Sequence, residues 1–160
     1  MISTVGIGIL SLSIMGFGFS YNRGLKNEKE CVEGLIQLTE RINTRIKCFR
    51  QGISEIYDGF SNPFLDATGF TAALKEKGMS YALESSGDKL TLGHDIMFES
   101  KKFANRLGKS YYDEQLTLCE NYLSFLKGKY DEICRGLPTK TKLSLSLSFA
   151  ISALIAILFI

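Results

Sequence analysis

The sequence has little of the chemistry on which most enzymes and metal proteins depend. It contains a single histidine, His94, and its four cysteines show no Cys-x-x-Cys spacing, which argues against a zinc site. It has no phosphate-binding loop, since Gly87-Asp88-Lys89 has one glycine and no suitably placed Ser or Thr. Adjacent acidic pairs point about 100° apart on a helix, so they do not form a carboxylate dyad. We therefore expect no catalytic residue, cofactor or metal, and a surface or capping role for His94.

Charge is absent from both ends of the chain. All 19 basic and 17 acidic side chains lie within residues 23–142. The uncharged runs 2–19 and 143–160 would each extend about 27 Å as helices, close to a hydrocarbon thickness of about 30 Å. This predicts transmembrane anchors over 1–22 and 143–160 and a helical domain over 23–142. Two alternatives stay open: a cleaved signal peptide for the first run, although no Lys or Arg precedes it, and a strand for the second.

Basic residues flank the two uncharged runs only on their inner sides. Those nearest are Arg23, Lys26 and Lys29 after the first run and Lys127, Lys129, Arg135, Lys140 and Lys142 before the second. The positive-inside rule therefore predicts that the middle domain is cytoplasmic. The four cysteines, Cys31, Cys48, Cys119 and Cys134, fit that compartment as buried, reduced thiols.

Small residues recur every four positions in the second run, at Ser144, Ser148, Ser152 and Ala156. On a helix they share one face, where they would let another backbone approach closely. The other helix could be the first span or a helix of a neighbouring chain. Alternatively, each serine only bonds to the backbone of its own helix.

The middle domain has the apolar periodicity of helices, so the predicted fold class is all-α: a membrane-anchored helical bundle with N- and C-terminal transmembrane helices. Apolar steps of three and four predict one long helix over 27–57. Asn62 and Pro63 predict the cap and first residue of a short helix over 63–67. Further helices are expected at 70–77 and 92–107, with a turn near Tyr81.

The last helix, over 112–137, has a heptad stripe: Tyr112, Leu116, Cys119, Leu123, Leu126, Tyr130, Ile133 and Leu137. Gly108 is expected to end the preceding helix in a left-handed conformation, and Ser110 to cap the last one. The stripe fits either antiparallel packing on the first long helix or a coiled-coil dimer. Basic clusters are interleaved with acids at a net charge of +2, so no nucleic-acid partner is expected.

One segment resembles a known family. In Phe103-Ala104-Asn105-Arg106-Leu107-Gly108-Lys109-Ser110, followed by Gln115, the chain resembles the Phe-Gly-x-x-Leu-Gly pattern of the stage III sporulation protein AB family. Ala104 departs from the family's glycine, and Tyr111 stands where the family often has an acidic residue. The layout of span, helices and span is similar along the whole chain. Structural roles are expected for Phe103, Leu107, Gly108, Ser110 and Gln115.

The resemblance implies a non-enzymatic platform or adaptor in a secretion-type channel complex between mother cell and forespore. Its partners would be the lipid bilayer, a cytosolic secretion-type ATPase and other membrane proteins, with self-association also open. The implied location is the mother-cell membrane around the forespore. The soluble domain would be similar to the cytoplasmic domain of type II secretion F-type platform proteins. The alternatives are a helical signalling module that dimerises as a coiled coil and a small membrane enzyme.

Overall fold

Helices account for all the regular structure in the described part of the chain. The computed structural model describes the backbone of residues 2–49, 52–109 and 111–159, and the side chains of these residues except 2–15, 17, 18, 49, 155, 156, 158 and 159. These ranges hold seven helices and no strand: α1 Ile2–Phe49, α2 Ile53–Asp58, α3 Pro63–Thr68, α4 Phe70–Lys77, α5 Met79–Ser85, α6 His94–Arg106 and α7 Tyr112–Phe159. The predicted all-α class is confirmed.

The first long helix differs from the prediction at both ends. α1 begins at Ile2, so the predicted span and the helix after it are one continuous element. The expected end at Tyr57 is wrong, because Gly52 is extended at φ −66° and ψ 147° and α2 starts after it. Glycine is about 1 kcal/mol less favourable than alanine in a helix, which favours a break at this residue. The sequence pattern did not reveal the break, because the apolar spacing continues through Ile53 and Ile56. The Nε of Arg41 donates to the carbonyl of Ile56 at 3.2 Å, which ties α2 to α1.

The short helices follow their local signals closely. The Oδ1 of Asn62 accepts from the N–H groups of Phe64 and Leu65, both at 3.1 Å, and Pro63 is the first residue of α3. α4 begins and ends at the predicted residues. The turn expected near Tyr81 is a full helix, α5.

The last helix does not stop where the sequence suggested. α7 begins at Tyr112 as expected but runs through Pro138 to Phe159, so the predicted end at Leu137 is wrong. Proline lacks the N–H that would bond to the carbonyl of Cys134 four residues earlier. Continuing through it forgoes this hydrogen bond and crowds the Cys134 carbonyl, at a cost of about 3 kcal/mol. Stopping would instead require a second helix nucleation for the residues beyond.

The contacts divide the chain into two units. One is Glu28–Glu132, and the other comprises the described residues up to Asn27 and from Ile133 onward. The core of Glu28–Glu132 draws on α1, the short helices, α6 and α7. Its fully buried apolar residues include Cys31, Val32, Leu35, Leu38, Ile42, Leu65, Phe70, Leu74, Leu83, Cys119 and Leu126.

Within Glu28–Glu132, α1 and α7 run antiparallel. The Tyr112 hydroxyl donates to the Lys47 carbonyl at 3.3 Å, and the Nζ of Lys127 lies 2.8 Å from the Oε1 of Glu40. Nearer the other end, the Nζ of Lys29 lies 5.6 Å from the centre of the Tyr130 ring. Residue numbers rise along α7 as they fall along α1. Of the heptad stripe, Cys119 and Leu126 are fully buried within the chain.

Most side chains of the predicted first anchor are not described, namely 1–15, 17 and 18, whereas in the second only 155, 156 and 158–160 are not. Among the residues that are described, no helix has an apolar stretch of the length and hydropathy needed to cross a membrane. Ser144 and Ser148 are half-buried, and the hydroxyl of Ser148 donates to the carbonyl of Ser144 at 2.9 Å. Ser152 is buried, whereas the side chain of Ala156 lies outside the described set. The predicted packing face therefore stays a prediction.

Candidate functional site

The residues of the family-like segment join α6 to α7. Phe103 is 2% exposed and Leu107 is also buried, with the N–H of Leu107 donating to the carbonyl of Phe103 at 3.0 Å. Gly108 follows at φ +82°, the left-handed end that was predicted. Gln115 is half-buried in the first turn of α7. Ser110 lies outside the described residues, so its predicted capping role stays a prediction.

Gly108 has a specific reason to be glycine. A residue with a side chain strongly disfavours positive φ, because its Cβ approaches the neighbouring carbonyl. A Cβ at this position would also lie 3.2 Å from the Cδ1 of Ile53. A side chain at this position would therefore strain the turn that follows α6.

A buried aromatic pair supports this corner. The rings of Phe103 and Tyr122 stack with centroids 4.2 Å apart and planes 15° apart. The Tyr122 hydroxyl lies 2.6 Å from the Oγ of Ser100, and that Oγ donates to the carbonyl of Ile96 at 2.7 Å. Because a serine hydroxyl has one hydrogen, Tyr122 must be the donor to Ser100. Burial raises the pKa of Tyr122, which keeps the phenol a neutral donor at physiological pH.

The sequence interpretation missed Tyr122. The heptad stripe assigned Leu123 to the core, yet Leu123 is half-buried and Tyr122 is 5% exposed. Cys119, Tyr122 and Leu126 also follow steps of three and four, so the signal was present in the sequence. What decides between the two neighbours is the position of Phe103 and Ser100 on α6.

A groove lies between α6 and α7 over this aromatic pair. It consists of two recesses that share Arg106, Leu118 and Asn121. The first recess is also lined by Glu99, Lys102, Phe103, Tyr122 and Phe125. The second is also lined by Asp113, Glu114 and Thr117. All of these residues belong to Glu28–Glu132, and we call this surface the α6–α7 groove.

The charges of the α6–α7 groove are unevenly compensated. The Nζ of Lys102 lies 3.2 Å from the Oε1 of Glu99, one turn away on α6. Asp113 and Glu114 occupy the first turn of α7, where the helix dipole stabilises negative charge. Arg106 is exposed, and its guanidinium makes no hydrogen bond or ion pair with any residue that the structure describes. Of the two cations that line the groove, Lys102 is paired and Arg106 has no partner among the described residues.

A third recess lies between α1 and the start of α3. It is lined by Glu30, Glu33 and Gln37 from α1 and by Asn62, Pro63 and Phe64 at the start of α3. The Nδ2 of Asn62 donates to the Oε1 of Gln37 at 3.0 Å, so this amide both caps α3 and ties it to α1. Its two acidic side chains are exposed.

The four cysteines are free thiols, but only two are fully buried. Burial raises the pKa of Cys31 to about 12 and that of Cys119 to about 11, so both stay protonated and unreactive. Cys48 is exposed, which corrects the expectation that all four are buried. It follows the buried Ile46 by two residues, about 200° around the helix, and so points away from the core. Cys134 is half-buried.

The remaining candidates for chemistry are isolated. His94 is exposed at the first residue of α6. Within the described ranges, no three His, Cys, Asp or Glu side chains cluster closely enough to hold a metal ion. The α6–α7 groove combines the buried aromatic pair with charged side chains along its walls.

Comparison with known proteins identifies the family. A model of the family described as stage III sporulation protein AB matches residues 3–160, nearly the whole chain. No curated protein and no solved structure matched. The family description implies a role in stage III of sporulation. Because the match covers nearly the whole chain, the chain belongs to the stage III sporulation protein AB family.

Proposed function

We propose that the chain is a non-enzymatic membrane platform in a secretion-type channel complex between mother cell and forespore. It links a cytosolic secretion-type ATPase to the other membrane proteins of that complex. Residues 1–22 and 143–160 are its anchors in the mother-cell membrane around the forespore. Residues 23–142 form the helical domain, which faces the cytoplasm.

The observation that carries the proposal is the continuity of the two long helices. α1 and α7 each combine an uncharged terminal segment with a segment that builds the core of Glu28–Glu132. Each segment of the bundle that leads to a terminal run is therefore joined to it by helix rather than by a loop. That is the construction a platform needs, and the family's role in stage III of sporulation is consistent with it.

The charge pattern supports the location and orientation. Residues 1–22 and 143–160 hold no charged side chain, and basic residues flank both runs on their inner sides. The likeness of the helical domain to that of type II secretion platform proteins is part of the proposal. An experimental structure of the domain with its partner would test it.

Co-purification tests the platform role directly. The full chain, solubilised in detergent, is expected to retain its cognate ATPase. Leu126→Asp should lose the ATPase, because Leu126 is fully buried and a carboxylate there disrupts the core. Gly128→Ala is the matched control, since Gly128 is exposed with no atom within 4 Å of an added Cβ. Failure of the native chain to retain the ATPase, while other members of the complex do retain it, contradicts the proposal.

The coiled-coil signalling alternative has lost its main support. A dimer through the heptad stripe would need Cys119 and Leu126 at its seam, and both are fully buried within the chain. Light scattering on the detergent-solubilised full chain distinguishes the two. A dimer that Leu116→Lys dissociates would favour the alternative, because Leu116 belongs to the stripe and is only half-buried.

A further inference from the structure

The α6–α7 groove combines a firm floor with half-buried apolar walls. Its floor is the stacked pair Phe103 and Tyr122, which the hydrogen bond from Tyr122 to Ser100 holds in place. On its α7 wall, Leu118 and Phe125 are half-buried, and they are separated by about two helical turns. Apolar positions at this spacing suit contact with a second helix rather than with a small polar ligand.

The charges of the groove indicate which group is missing from it. Lys102 is already paired with Glu99. The acidic residues of the second recess lie in the first turn of α7, where the helix dipole stabilises their negative charge. Only Arg106, which lines both recesses, presents a guanidinium without a partner among the described residues. A guanidinium binds a carboxylate through two parallel hydrogen bonds, so a carboxylate is the complementary group.

We propose that the α6–α7 groove is the docking site for an amphipathic helix of the cytosolic partner. Apolar side chains of that helix pack on Leu118 and Phe125, and an Asp or Glu between them binds Arg106. This assignment rests on the proposed platform function, since it names the surface by which the platform holds its partner. It differs from a general basic surface because it requires Arg106 in particular.

The test compares two charge reversals on the same helix. The full chain is placed in lipid nanodiscs, and its affinity for the purified cognate ATPase is measured by biolayer interferometry. Arg106→Glu is expected to weaken binding about tenfold or more, because it sets like charges against each other in a desolvated contact. Lys101→Glu is the matched control, since Lys101 is exposed on α6 and does not line the groove. It should change the affinity by about twofold or less.

A second variant tests the groove without changing charge. Asn121 is an exposed wall residue shared by both recesses, so Asn121→Trp should fold normally and fill the groove. It is also expected to weaken binding about tenfold. Circular dichroism at 222 nm verifies that all three variants keep the helical content of the native chain.

The outcomes separate this inference from the function on which it rests. If the native chain does not bind the ATPase, the platform proposal fails and the docking site falls with it. If the native chain binds and both Arg106→Glu and Asn121→Trp bind equally well, the groove assignment is wrong and the platform role stands. Equal loss with Lys101→Glu would also overturn the assignment, in favour of general electrostatics. A change in self-association with unaltered ATPase binding would identify a second copy as the occupant, contrary to the proposal.

Discussion

The buried hydrogen bond between Tyr122 and Ser100 predicts that the stability losses from removing its two hydroxyls are not additive. Tyr122→Phe removes the donor and leaves Ser100 bonded to the carbonyl of Ile96 at 2.7 Å. The loss is one neutral hydrogen bond, about 1 kcal/mol of unfolding free energy. The phenyl ring keeps its stack on Phe103, so no cavity forms.

Ser100→Ala has a different physical effect. It leaves the Tyr122 hydroxyl, on a residue only 5% exposed, without its acceptor. An unsatisfied buried hydroxyl costs about 1–3 kcal/mol, and the higher helix propensity of alanine offsets about 0.5 kcal/mol of that. The double variant removes both hydroxyls and should be more stable than Ser100→Ala alone.

Thermal unfolding of the full chain in detergent, followed by circular dichroism at 222 nm, measures the order of stabilities. Because about 1 kcal/mol shifts the Tm of a chain of this size by about 2–4 °C, the differences are resolvable. Two results would refute the reasoning: a double variant less stable than Ser100→Ala alone, or a double variant whose loss equals the sum of the two single losses. Either would mean that the hydroxyls do not bond to each other as described.

Three further predictions concern the backbone, an ion pair and the thiols. Gly108→Ala should lower the unfolding free energy by about 1–2 kcal/mol because φ is +82°, whereas Gly128→Ala should raise it by about 0.5–1 kcal/mol; urea unfolding compares them. The Nζ of Lys129 on α7 lies 2.7 Å from the Oδ2 of Asp95, and its hydrogen bond lowers the pKa of Asp95 below the usual 3.8. The stabilisation from this ion pair is therefore present above about pH 4 and is lost as pH falls through the lowered pKa. Asp95→Asn should therefore be less stable than the native chain at pH 7 and approach it at pH 2–3 in acid unfolding. Maleimide should label Cys48 in the native chain and Cys31 only after unfolding, as mass spectrometry will show; labelling of both at equal rates would contradict the described burial.

Local signals in the sequence predicted local structure well. Asn62 and Pro63 specify a capped helix start through the oxygen of one side chain and the fixed φ of the next residue. Gly108 similarly marks the positive φ after α6. Such features depend on neighbouring residues alone, so a single sequence is sufficient to find them.

Helix lengths and the groove depend on more distant residues. The apolar period runs through Gly52, where the helix breaks, and Pro138 lies where the helix continues. At Gly52 the low helix propensity of glycine outweighs a continuous apolar pattern, whereas at Pro138 the helix continues against propensity because stopping would require a second nucleation. Likewise, Tyr122 rather than Leu123 enters the core because Phe103 and Ser100 lie opposite it on α6.

The central claim is that the helical domain lies in the cytoplasm between two membrane anchors, and the exposed thiol of Cys48 provides its most direct test. The full chain is made in a non-sporulating bacterial host, and intact protoplasts are treated with a membrane-impermeant maleimide. The account predicts no labelling of Cys48 until the membrane is permeabilised, with the chain sedimenting in the membrane fraction. Labelling of Cys48 in sealed protoplasts would contradict it.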